Sequence, residues 1–436
     1  MTTRTALHWE GSLSATYLVL TQGPIFTALA LYFGLDAVSI GVASSFPMAF
    51  QVFQLLTPRL LPFFRDCRRA LFAFNAMRLV WIAAPVGVLR GRSAPTVFLL
   101  VFGISQAANA LAGNTWLSMV RELVPESQRG RFMGIRSVFV SLVTILFVPV
   151  YSFILDTLPI DFGVGAVIGL SLFGSILSMA FLGPLKTTAV HVAPRERLAT
   201  ALADPNFRRL CVAFFYWNAV VMLASPFFSY HQMRNLGLPI TLVSLTTAGV
   251  GVLSLGFYKL WGAVSDNLGV KSITVTGVLI VGTTPILWIF MSPDLWPVAI
   301  GVDMIMTALG WAALNIVLIA LPLELSKVAP ATQYALYFAA GGIGGLLGSI
   351  AGGFAAGALE SLHITLGGQT VFGLQLLFVA GGLLRYTAIP LFLRVETARY
   401  LPPPAVAMNV LSLVARRAPL RAFELLRAGR PHGTGE

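Results

Sequence analysis

Twelve apolar stretches, each long enough at about 20 residues to cross a bilayer as a helix, take up most of this chain. They lie near residues 11–33, 38–57, 70–89, 95–120, 137–155 and 163–182. After a polar, Arg-containing connection at 186–209, six more follow near 210–231, 241–261, 272–290, 296–321, 332–356 and 371–393. Inside hydrocarbon a backbone must satisfy its own N–H and C=O groups, so this pattern predicts an all-α membrane protein with twelve transmembrane helices. Composition agrees: 57% hydrophobic residues, 11% charged residues and a mean hydropathy of +0.82 exclude a water-soluble domain of this size. The expected organisation is a six-helix bundle over 1–185, a linker over 186–209, a second six-helix bundle over 210–394 and a basic tail over 395–436.

Loop charge predicts the orientation. Arg59, Arg65, Arg68 and Arg69 follow the second stretch, a cluster from Arg121 to Arg136 follows the fourth, and Lys186, Arg195, Arg197, Arg208 and Arg209 fill the linker. The opposite side carries Arg90, Arg92 and Arg234 against Asp36, Asp156, Asp161, Asp294 and Glu360. The positive-inside rule then puts both termini in the cytoplasm of a bacterial-type membrane. The same asymmetry accounts for a net charge of +12, so a nucleic-acid partner is not needed to explain it. Two cysteines, Cys67 and Cys211, are too few for a disulfide framework, and the first residues hold no cleavable leader pattern.

The two halves repeat a device. A charged hinge with Glu122, Glu126, Arg121, Arg129, Arg131 and Arg136 surrounds Pro125, and a weaker copy surrounds Pro330. In each, a helix runs into the proline, a glutamine follows three residues on (Gln128, Gln333), and a new helix begins. Duplicated bundles with a site between them are a transporter device.

Specific motifs then narrow the family. The run Trp261-Gly262-Ala263-Val264-Ser265-Asp266-Asn267-Leu268-Gly269-Val270-Lys271 resembles the G-x-x-x-D-x-x-G-x-[KR] motif of the major facilitator superfamily. Glu122, Arg129, Gly130 and Arg131 resemble that superfamily's acidic-x6-Arg-Gly element after the fourth helix. The resemblance spans the chain through its six-plus-six layout. It implies two pseudo-symmetric six-helix bundles, a central cavity among helices 1, 4, 7 and 10, and alternating access by rocking of the halves. It also implies that Asp266 lies near Arg129 or Arg131. Gly262 and Gly269 would permit close backbone approach and a tight turn, with Lys271 closing the motif. The first half departs from this pattern: its matching loop, from Thr57 to Arg69, keeps the basic residues but loses the glycines and displaces the acid. Its expected partner reads Gln333-Tyr334-Ala335 in place of Gln128-Arg129-Gly130. The hypothesis is a one-sided cytoplasmic lock. Asp266→Arg combined with Arg131→Asp should restore the activity that either single change removes, and no restoration would refute the pairing.

Polar groups inside a membrane are costly and therefore functional candidates. On the helices that the resemblance places around the cavity these are Gln22, Gln106, Asn109, Tyr216, Trp217, Asn218, Trp311 and Asn315. Together they favour a small polar or amphipathic solute stacked on aromatic rings, and each alone reads equally as an interhelical hydrogen bond. Asp303 suits proton coupling if it is buried away from cations; the other reading places it near the outer water boundary. Glu10 reads as an interface residue. Arg78 and Arg385 read as structural, snorkelling or pairing with backbone carbonyls. The glycine-rich eleventh stretch, from Gly341 to Gly357, reads as a seam between moving halves.

After Pro402-Pro403-Pro404 breaks the last helix, residues 405–428 read as an interfacial amphipathic helix attracted to anionic lipid. Five scattered histidines supply no metal pair, no nucleophile-base set is evident, and no cofactor is expected. The reading is a monomeric, proton-coupled secondary transporter and not an enzyme. The alternative is a transporter-derived sensor that binds ligand without flux.

Overall fold

Prolines and glycines decide where the spans of this protein run straight and where they break. The structure is a computed structural model that describes residues 3–85, 94–185, 187, 202–325, 330–366 and 369–412. Among the described residues nine helices are long and apolar enough to cross a membrane, and a bent pair makes a tenth span. That pair is α1, Thr3–Leu20 and Gly23–Tyr32, meeting at 44°. Gly23 takes φ 59° and Pro24 has no N–H, so the helix ladder stops there. The Thr21 hydroxyl covers the Tyr17 and Leu18 carbonyls at 3.3 and 3.2 Å, and Gln22 is left exposed at the break.

Two further apolar stretches form shorter helices because 3₁₀ turns interrupt them. The second, α2, is Ala37–Ala49, continued by a 3₁₀ segment Phe50–Leu56 beyond Pro47. Asp36 caps it by accepting from the Ser39 amide at 2.8 Å, and hydrogen bonding from Ser39 holds that carboxyl below its usual range. The third, α3, is Cys67–Ala76 followed by 3₁₀ residues Met77–Ile82. Then come α4 (Ala94–Leu123), α5 (Glu126–Thr157), α6 (Ile160–Ala180) and α7 (Pro205–Met222). A break at 223–226 divides α7 from Phe227–Tyr230 and a π turn, His231–Asn235. The C half continues with α8 (Ile240–Leu268), α9 (Val270–Leu287), α10 (Trp296–Leu325) and α11 (Pro330–Leu359). The last span, α12, is Gly373–Tyr386 with Ile389–Leu393, and a short helix α13 occupies 403–412.

Three expectations change. The last span does not begin at 371: strands β1 (His363–Leu366) and β2 (Gln369–Phe372) pair antiparallel, with Leu366 opposite Gln369, and α12 starts only at Gly373. The last span ends at Leu393, as the 371–393 stretch predicts, so the three prolines do not break it. Those prolines open α13, where a missing N–H costs nothing. The charged hinge is short, because α4 runs to Leu123 and α5 begins at Glu126, well before its apolar part at Ile135.

Freed carbonyls find partners. Pro285 inside α9 cannot bond the Val281 carbonyl; Arg385 Nη1 and Thr284 Oγ1 donate to it instead, at 2.9 and 3.0 Å. Pro322 likewise frees Leu318, whose carbonyl accepts from the Tyr337 hydroxyl at 2.9 Å and ties α10 to α11.

Call the face carrying the chain ends the terminal face and the other the distal face. The halves meet near the distal face. Asp156, at the end of α5, accepts from the amides of Ile240 and Thr241 at the start of α8, at 3.2 and 2.6 Å. Ser349 of α11 donates to the Gly41 carbonyl of α2 at 2.7 Å. A carboxylate on free helix N-terminal amides is a charge-assisted latch. Asp156→Ala is expected to speed hydrogen exchange at these two amides about tenfold, from the loss of more than 1 kcal/mol. Unchanged exchange would mean the latch contributes nothing.

Candidate substrate cavity

A cavity of about 220 Å³ lies inside the C half, between the broken part of α7 and the distal portions of α8, α9 and α10, with Arg385 of α12 at its side. Ser225, Ser229 and Gln232 line it from the break after α7 and the turns that follow, Thr246 and Thr247 from α8, and Asp303, Thr307 and Trp311 from α10. Trp288 and Trp311 supply flat apolar surface and the hydroxyls supply hydrogen bonds, which suits a small solute bearing both a ring and polar groups.

Asp303 is held in place. Trp288 Nε1 donates to its Oδ1 at 3.0 Å and Thr307 Oγ1 donates to the same oxygen at 3.3 Å, which leaves Oδ2 to face other partners. It is buried, but beside a cation and not away from one, because Arg385 lines the same cavity and acts on it electrostatically. Arg385 is 2% exposed and does not snorkel. Its Nη1 and Nη2 donate to the Val281 and Val221 carbonyls at 2.9 and 3.4 Å, and its Nε finds no partner among the described residues. A buried guanidinium so placed bridges α7, α9 and α12 and puts positive charge beside the carboxylate.

Of the residues singled out from the sequence, Asp303 and Trp311 line this cavity. Trp217 is fully buried behind Trp311, with ring centroids 6.3 Å apart. Asn218 donates to the Phe214 carbonyl within α7, and Tyr216 bonds Thr387 on α12. Asn315 donates to the Tyr258 hydroxyl at 3.0 Å, Gln106 is buried in α4, and Gln22 stands apart at the α1 break. The set does not converge on one point. Ser225, Ser229 and Gln232 were missed, although polar residues at i, i+4 and i+7 in an apolar span mark one helix face.

Comparison with known proteins now decides the family: the sequence profile described as "Major Facilitator Superfamily" matches residues 11–349. The chain belongs to the major facilitator superfamily. No curated protein matches it by sequence. Solved superfamily folds resemble it at low identity. A variant of the nucleoside transporter NupG aligns with a TM-score of 0.74 and 14% identity over 91% of this chain and 100% of its own. A D-xylose-proton symporter gives 0.68 and 14% over 91% and 99%. A bacterial homolog of the human lysosomal transporter Spinster, in an inward-facing and unoccupied conformation, gives 0.61 and 17% over 92% and 98%. These likenesses show the fold. The protein is a multi-pass membrane protein of a transporter superfamily, not an enzyme.

The superfamily motif after α8 is mostly helical, since α8 continues through Leu268. Only Gly269 turns, with φ 86°. Among the described residues, a Cβ at Gly262 would meet nothing within 4 Å. Lys271 caps the end of α12, its Nζ donating to the Leu393 and Val395 carbonyls at 2.7 Å each. Glu122 is exposed at the end of α4. The Asp266, Arg129 and Arg131 side chains that would form the lock lie outside the described residues.

The N half of this superfamily member holds a polar cluster that the sequence reading did not assemble. Glu10, expected at the interface, is 3% exposed because α1 begins at Thr3 and carries it inside. Trp116 Nε1 donates to Glu10 Oε2 at 3.1 Å. Arg136 Nη2 stands 3.9 Å from that oxygen, with its guanidinium stacked 4.1 Å over the Trp116 ring. Arg78 donates to Ser14 at 2.7 Å and to Asn109 at 3.1 Å, so Asn109 serves this buried arginine.

Proposed function

We propose that this chain is a secondary active transporter. It takes a small polar or amphipathic solute into the C-half cavity and moves it by alternating access, with a proton carried on Asp303. The observation that carries this reading is a carboxylate held by Trp288 and Thr307 in a cavity walled by tryptophans and hydroxyl side chains. Hydroxyls at Ser225, Ser229, Thr246, Thr247 and Thr284 favour a polyhydroxylated, ring-bearing solute. The nucleoside and xylose transporters that share the fold support that class.

The working cycle has two steps. With the halves latched at the distal face, solute and proton leave or enter through the terminal face. Opening the Asp156 and Ser349 contacts would expose the other side. The excess of Arg and Lys on the terminal face supports placing it in the cytoplasm. Two-bundle organisation over 1–185 and 210–394 and function as a monomer belong to the same proposal. The test is uptake of labelled nucleosides and pentoses into proteoliposomes, with and without an imposed pH gradient. Accumulation of one class, abolished by collapsing the gradient, supports the reading. Binding of a solute without flux under any gradient would replace transport with sensing.

A further inference from the structure

The chain does not leave the protein when α12 ends. Residues 394–401 cross the terminal face of the C half as a strap. Asn206 and Glu396 exchange two bonds, Glu396 N to Asn206 Oδ1 and Asn206 Nδ2 to the Glu396 carbonyl, each 2.8 Å. Arg209 reaches the Glu396 carboxylate at 2.7 Å. The strap also grips the turn between α8 and α9: Leu401 N donates to Ser272 Oγ at 2.7 Å, and a Cβ at Gly269 would lie 2.8 Å from the Arg399 carbonyl oxygen. Only glycine fits there, both for its positive φ and for the closeness of the strap.

Beyond the strap, α13 has two apolar sides. Val406 is fully buried in the C-half core and Val410 packs on that core. Pro404, Met408 and Leu411, spaced i, i+4 and i+7, form the other side, where Met408 and Leu411 are 71% and 68% exposed. This stripe follows the end of α12 at Leu393 across the strap, on the terminal face. The sequence after it carries Arg416, Arg417, Arg421, Arg427 and Arg430 against Glu424 and Glu436. An apolar stripe flanked by basic residues at the edge of a span complements an anionic bilayer surface.

We propose that α13 is a membrane-surface anchor for anionic lipid headgroups, and that the strap passes this docking to the α8–α9 turn. The test uses the full chain with Cys67→Ala and Cys211→Ala, a fluorophore at Met408→Cys, and nanodiscs of phosphatidylcholine with and without phosphatidylglycerol. Leu411→Cys serves as a second labelling site. The label is expected to be quenched by doxyl lipid in the anionic discs, with docking weakened about fivefold for each of Arg416→Gln and Arg417→Gln. Equal accessibility to aqueous iodide in both discs would overturn the anchor and point to a protein occupant. Hydrogen exchange at 269–272 should slow in anionic discs and lose that slowing in Asn206→Ala while lipid quenching persists. No slowing in the unaltered chain would overturn the coupling.

Discussion

Asp303→Asn is expected to cut accumulation driven by a pH gradient by about tenfold or more, while solute exchange without a gradient stays within about twofold. Asparagine has nearly the same shape and can still accept from Trp288 and Thr307 through its amide oxygen, so the cavity wall survives. What it cannot do is exchange a proton. Binding of solute and rocking of the halves persist, but the step that ties them to the gradient is gone. The change also removes the anion beside Arg385, whose two bonds to the Val281 and Val221 carbonyls keep it in place. Asp303→Glu, which keeps the charge but lengthens the chain, should retain part of the coupling. Equal accumulation by the Asn variant and the unaltered protein would show that the proton rides elsewhere, and Glu10 in the N half would be the next carboxylate to test.

The spans were legible because hydropathy reports burial in lipid, and the starts of α5 and α11 were legible because Pro125 and Pro330 announce them. The breaks in α1 and α7 were less so. Gly23-Pro24 and Pro226 stand in the sequence, but a hydropathy window averages over them. The last two residues of the hairpin, Val371 and Phe372, were read into the last span because they are apolar. The alternation around Gly367-Gly368 was the available clue. Glu10, with Arg4 and His8, lowered the hydropathy before Gly11, so the buried turns of α1 were read as interface. Its partners Trp116 and Arg136 lie more than a hundred residues away, and no local pattern reports such a meeting. The cavity has the same origin. Asp303 and Arg385 share it only because α10 and α12 both pack on α9, which is a property of the bundle and not of either helix.

The glycines of α11 have two separate tasks, and substitution should tell them apart. One face packs on α7 in the same half: a Cβ at Gly344, Gly348 or Gly352 would overlap the carbonyl oxygen of Phe215, Ala219 or Leu223 and lie 2.7 to 2.8 Å from the carbonyl carbon. Both sides of that contact are backbone, so nothing can turn aside. Gly348→Ala is expected to cost about 3 kcal/mol or more and to lower Tm by about 5 °C or more, because α7 and α11 must separate along their length. The other face meets α2 of the opposite half, where a Cβ at Gly41 would lie 2.6 Å from Gly353 Cα and 2.8 Å from the Ser349 carbonyl oxygen. In the cycle proposed above that contact opens with the distal face, while the α7–α11 packing at Gly344, Gly348 and Gly352 stays within the C half. Gly41→Ala should therefore leave Tm nearly unchanged and shift the protein toward an open distal face. Spin labels at Leu158→Cys and Pro239→Cys, in a chain lacking its native cysteines, should report a longer distance in that variant. If Gly41→Ala instead lowered Tm as much as Gly348→Ala and left the distance unchanged, the α2–α11 contact would be a fixed part of the fold and the halves would have to move about some other seam.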